Sequence, residues 1–155
     1  MTALMSFYPS IYDKIANQTK LVEYRRTFPK DCSYAYMYVS KPTKAICGII
    51  YFGKKYQLLD WKNEYANNEE VSERIESFLE TYRYAFEIVS FQKIVPIPLE
   101  QLRTNIPNFT APQSYLILEN NQVLFKYIKQ NVVFIGEKVT NNFSNAYPAH
   151  ICARY

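Results

Sequence analysis

The chain has 155 residues, 48% of them hydrophobic and 21% charged, with a formal net charge of +4. That balance is globular, enough for one domain with a sizeable core, and it suggests neither global disorder nor a membrane class. No apolar run reaches the roughly 20 residues of a spanning helix, and the N-terminus has no secretory-signal pattern, so the expectation is a cytoplasmic protein without a membrane partner.

In chain order, residues 4–7 read as a short apolar strand stopped by Pro9. Ser10 then caps a helix through Ala16, with Asp13 in a capping-box-like position, and residues 17–19 form a turn. Residues 21–25 alternate as a strand, with Leu21, Glu23 and Arg25 on one face and Val22 and Tyr24 on the other. Lys20 has the wrong parity to join Glu23 and Arg25 within a regular strand, so it reaches them only from the turn. Arg26 faces away from Arg25 and reads as a surface charge.

Residues 34–40 set Tyr34, Tyr36 and Tyr38 against Ala35, Met37 and Val39, a period-two strand closed by Lys41 and Pro42. Residues 45–52 are nearly continuous apolar, as in a central strand, where Gly48 marks a bulge, a bend or a close backbone approach. Gly53 begins the next turn. Asn68 caps a helix to about Tyr84, with Glu69 and Glu70 at the positive end of its dipole and Val71, Ile75, Phe78, Leu79 and Tyr82 as its apolar stripe.

Residues 86–95 form a strand ended by Pro96 and Pro98, and Pro98 opens a short helix around 99–102. A strand at 114–118, a helix near 121–130 and a strand-like 132–136 lead into a polar tail. Strands outnumber helices and several are separated only by turns. The fold class is therefore mainly β with flanking helices (α+β), a small barrel or curled mixed sheet.

Cys32, Cys47 and Cys152 lack zinc-site spacing, and His150 is the single histidine, so no metal and no cofactor is expected. His150 and Cys152 are conceivable as a nucleophile pair on one strand face. A packed or solvated tail is the plainer reading, because no orienting carboxylate lies nearby. The sequence pI near 8.8 permits a polyanionic partner without the clustered basic residues of a dedicated nucleic-acid binder. Most of the 15 tyrosines and 10 phenylalanines read as packing.

SFYPSIYDKIANQTKLVEYRR followed by AYMYVSKPTKAICGIIYFG resembles the ASCH domains of the PUA-like barrel superfamily, whose hallmark is Gly-x-Lys-x-x-Glu-x-Arg. Lys20, Glu23 and Arg25 stand at the charged positions, and Gln18 replaces the glycine. Ser40, Lys41, Pro42 and Gly48 fit the turn and strand that follow. The likeness runs over residues 4–118. It implies an ASCH/PUA-like domain at 1–120, a small mixed-sheet β-barrel, with a C-terminal extension at 121–155 packed on the same domain.

The resemblance implies RNA or a nucleoside or nucleotide as partner, bound in a cleft lined by Lys20, Glu23 and Arg25. Tyr24 or Tyr38 would stack on a base, and Ser40 and Lys41 would complete the site. It also implies an enzymatic alternative with Lys20 and Glu23 catalytic: an amidohydrolase on N4-acylated cytidine, or a ribonuclease. The threonine of that hydrolase type falls where Glu23 stands. A Lys20 base would need burial to lower its pKa against the opposing pull of Glu23. Without a cleft, the three charges are a solvated face contributing about 0 to 1 kcal/mol.

Overall fold

The computed structural model describes residues 1–153. Its elements are β1 (Thr2–Phe7), α1 (Pro9–Ala16), β2 (Val22–Arg25), β3 (Tyr34–Val39), β4 (Ala45–Gln57), α2 (Leu58–Glu64) and α3 (Glu69–Leu79). They continue with β5 (Tyr84–Pro98), α4 (Leu99–Asn105), β6 (Tyr115–Ile117), α5 (Gln122–Asn131) and β7 (Phe134–Thr140). The strands form one sheet in the order β2-β5-β4-β3-β1-β6, with β7 also paired to β5. β1 and β3 run parallel, and the other pairs are antiparallel.

The sheet is curled into a half-barrel, and one contact demonstrates it. β2 and β1 are four places apart in strand order, roughly 19 Å in a flat sheet at about 4.8 Å per strand. Yet the Arg25 guanidinium Nη2 donates to the Ser6 carbonyl at 2.9 Å. The sheet curls far enough for its edge strand β2 to reach β1 through this side-chain hydrogen bond.

Strand alternation divides the core. Leu4, Tyr36 and Tyr38 face the helical layer, packing with Leu99, Leu102, Leu124, Phe125 and Ile128. Ala3, Met5, Ala35, Met37 and Ile50 face the other way with Ile15 of α1. The alternating tyrosines of β3 are therefore packing residues, as expected. A third cluster joins β2 to α2 and α3 through Val22, Leu58, Trp61 and Ile75, and takes in Ile151 of the C-terminal segment.

Several boundaries differ from the sequence expectation. Ser10 is not the cap of α1: Tyr8 holds the N-cap position and Pro9 the first turn, where a residue without an N–H leaves nothing to satisfy. Gly53 does not start a turn, because β4 runs on to Gln57; the β4–β5 register shifts between Phe52 and Lys55, so Gly53 lies at an irregularity inside the strand. Asn68 caps α3 by accepting from the Val71 N–H. The helix stops at Leu79 rather than near Tyr84, and the Arg83 N–H is given to the Arg25 carbonyl of β2.

β5 passes through Pro96 to Pro98, making Pro98 the N-cap of α4 rather than its first residue. Pro96 falls where the register with β4 shifts, so no ladder donor is demanded of it. β7 occupies 134–140 rather than 132–136, and α2 had no expectation attached to it.

Gly48 combines two of the roles expected of it. The β3–β4 and β4–β5 registers both shift beside it, and an added Cβ would stand 2.7 Å from Phe91 Cε2 and 3.2 Å from the Gln92 carbonyl oxygen. Gly48→Ala is expected to destabilise the fold by about 2 kcal/mol through overpacking, measured by urea unfolding against wild type.

Candidate functional site

The site begins at the turn after α1. Gln18 adopts φ 62°, the left-handed backbone that glycine takes at no steric cost. Its side-chain amide is tied across to the Thr140 carbonyl at 3.1 Å and Asn141 Oδ1 at 3.0 Å. The Lys14 carbonyl accepts from the backbone N–H groups of both Thr19 and Lys20. This tight return swings Lys20 inward, to 5% exposure.

Lys20 Nζ lies 4.0 Å from Glu23 Oε1, and Arg25 Nη2 lies 3.8 Å from Glu23 Oε2. Glu23 Oε1 also accepts the Tyr24 N–H at 3.0 Å. One carboxylate thus stands between two cations. Arg25 is fixed further by the Ser6 carbonyl and by the Phe7 ring, 4.8 Å away.

These groups line a cleft of about 690 Å³ at the ends of β1 and β3, within the size range of small-molecule pockets. Lys20, Glu23, Tyr24 and Arg25 all reach it, as do Tyr38, Ser40 and Lys41. Every site residue expected from the sequence is therefore brought to one concavity. Arg26 is exposed and is not among its lining residues.

The aromatic pair is placed differently from what base stacking needs. One face of Tyr24 is stacked on Phe78 at 4.2 Å, and Lys20 Nζ stands 5.1 Å from the ring centroid. Tyr38 is 4% exposed within the core. The open ring on the cleft is Tyr8, at 74% exposure.

Sequence reasoning also missed Lys44 and Arg103. Only curling of the sheet and docking of α4 bring them to the cleft, the Leu99 N–H donating to the Lys44 carbonyl at 2.9 Å. Tyr8 had a local signal, since it occupies the break between β1 and the helix-starting Pro9.

Burial pushes the Lys20 ammonium below its ordinary pKa, with Glu23 opposing and Arg25 adding to the fall. Burial likewise lowers His150, helped by the charge of Lys20. His150 sits in a 3-10 turn (Ala149–Cys152), not a strand, and its Nε2 accepts the Leu21 N–H at 3.1 Å. The imidazole is engaged in holding the chain beside Lys20.

A mixed α+β fold whose sheet curls into a half-barrel, with this cleft at the ends of its parallel pair, is consistent with the ASCH/PUA-like β-barrel. The chain has the ASCH-domain fold, as the sequence resemblance anticipated. The crystal structure of ASCH from Zymomonas mobilis matches with a TM-score of 0.60 at 26% identity, over 85% of this chain and 96% of that one. Two point variants of that protein match with TM-scores of 0.64 at 22% identity, again over 85% of this chain. No protein-family model and no curated protein matches the sequence. Among the described residues, no helix is long and apolar enough to cross a membrane.

Proposed function

We propose that the cleft binds RNA or a nucleotide-sized piece of it. The observation that carries this reading is the convergence of Lys20, Arg25, Lys41, Lys44 and Arg103 on one concavity whose lining holds a single carboxylate, Glu23, among the described residues. Such a basic, partly enclosed hollow suits a phosphate-bearing ligand, and a carboxylate flanked by donors suits the polar edge of a base. Tyr8 offers its ring for stacking, a contact contributing about 1 to 3 kcal/mol per base.

Tyr8→Ala is expected to weaken binding by roughly tenfold and to leave thermal stability unchanged, because the ring is mostly in water. Fluorescence anisotropy with short RNA oligonucleotides and calorimetry with nucleosides and nucleotides measure this. Affinity should fall as salt rises. Undetectable binding at low salt across all of these ligands would leave the reading without support.

A second reading, hydrolysis of an N4-acylated cytidine, draws on one observation. The burial that a Lys20 base requires is present and moves its pKa in the needed direction. A neutral Lys20 amine would take a proton from water as its oxygen bonds the acyl carbon, and the resulting ammonium would return that proton to N4 as the C–N bond breaks, releasing cytidine and the carboxylic acid. Release of cytidine from N4-acetylcytidine, lost in Lys20→Met, favours this reading; no turnover across acyl-pyrimidines leaves binding alone.

A further inference from the structure

The charges lining the cleft divide into two groups. Lys20 and Arg25 are deep and share Glu23. Lys41, Lys44 and Arg103 are exposed, and none of the three makes an ion pair among the described residues. The inner group contains its own counterion. The outer group does not.

The outer cations are held by structure rather than scattered. Lys41 and Lys44 sit on the short connection between β3 and β4, where the Ser40 carbonyl accepts the Thr43 N–H at 3.1 Å. Lys44 stands at φ 48°, a conformation that costs an ordinary residue about 1 to 2 kcal/mol and glycine almost nothing. Its carbonyl accepts the first N–H of α4. Arg103 lies one helical turn beyond Leu99, and both side chains face the cleft. The connection and the helix are thus pinned together, with three cations on the rim they share.

Resting on the binding reading above, we propose that this rim is a phosphate-monoester subsite and that the ligand is a nucleoside monophosphate. An internal RNA phosphodiester brings one negative charge, whereas a monoester brings about 1.5 to 2 at neutral pH and three free acceptor oxygens. Three uncompensated cations match the second better. Arg103 supplies the planar fork that engages two phosphate oxygens, and the two lysines act as point charges.

The test is calorimetry with the four common ribonucleosides, their 5′-monophosphates, inorganic phosphate and a dinucleotide lacking terminal phosphate. The monophosphates are expected to bind at least about tenfold tighter than the nucleosides, the increment of one charge-assisted hydrogen bond. Inorganic phosphate should compete. Lys44→Ala and Arg103→Ala should each erode that advantage and together abolish it, bringing the affinity for each monophosphate down to that for its nucleoside, while the melting temperature stays at the wild-type value. The advantage should also shrink as pH falls through about 6, where the monoester takes up its second proton.

Nucleosides binding as tightly as their monophosphates would overturn the subsite and leave the nucleotide-cleft reading standing. An advantage that survives the double substitution would place the phosphate elsewhere and overturn it too. A dinucleotide matching the monophosphates would replace the monoester with an RNA diester. Absence of binding by every probe would remove both the subsite and the reading beneath it.

Discussion

Glu23→Gln is expected to lower the free energy of unfolding by about 3 to 5 kcal/mol, measured by urea denaturation at neutral pH. The carboxylate is almost fully buried and stands within 4.0 Å of Lys20 Nζ and 3.8 Å of Arg25 Nη2. Neutralising it leaves positive charge in a place water scarcely reaches. Lys20 can respond by giving up its proton, but a guanidinium cannot, so Arg25 bears most of the uncompensated cost. Among the described residues it then keeps the Ser6 carbonyl and the Phe7 ring. Glu23→Asp should fall between the two, since it restores the charge and shortens its reach. A loss below about 1 kcal/mol for the Gln variant would mean that water screens the group, as at a solvated ion pair, and the cleft would lose its electrostatic centre.

The parts of this molecule that were legible in the sequence are those encoded by period and by local chemistry. The two-residue alternation of β3, the continuous apolar run at the start of β4 and the Asn68 cap each specify where their element begins. The placement of Lys20 followed from parity: a residue on the wrong face of a strand can join its neighbours only from a turn, and that turn is made by Gln18 at positive φ. What failed was reading Gly53 and Pro96 as stops. Gly53 and Pro96 both lie inside long strands, at points where the β4–β5 register shifts. Neither residue alone distinguishes a strand end from a bulge, because both answer the same steric condition.

The inner charged group was readable for a different reason from the rim. Lys20, Glu23 and Arg25 lie within one turn and one strand, so their proximity is local in sequence. Lys44 and Arg103 are far apart along the chain and meet the cleft through the docking of α4 on the β3–β4 connection. Long-range closure of this kind leaves no periodic trace. The stacking role given to Tyr24 met a related obstacle: nothing local to β2 indicates that Phe78 of α3 will cover that ring.

Lys20→Met is expected to separate stability from function. The ammonium is buried, and burial outweighs Glu23 in setting the direction of its pKa, so the charged form is carried at a cost in the folded protein. Replacing it with an unbranched apolar side chain of similar length leaves Glu23 paired with Arg25. The expected gain is roughly 1 kcal/mol at neutral pH. The same change should weaken nucleotide binding by roughly 100-fold, since it removes a partly desolvated charge facing the ligand. The pH dependence identifies the cause. Between the lowered folded pKa of Lys20 and its ordinary value of 10.5, the unfolded chain holds a proton that the folded chain does not, so wild-type stability rises with pH across that window. The advantage of the Met variant should therefore be full below the folded pKa and should disappear as pH approaches the ordinary lysine value. Urea midpoints of both proteins, taken from neutral to alkaline pH, measure it. A Met variant less stable than wild type, with a gap that does not change with pH, would mean that Lys20 stabilises the fold in its charged form, and the case for a lysine whose pKa burial lowers would end there.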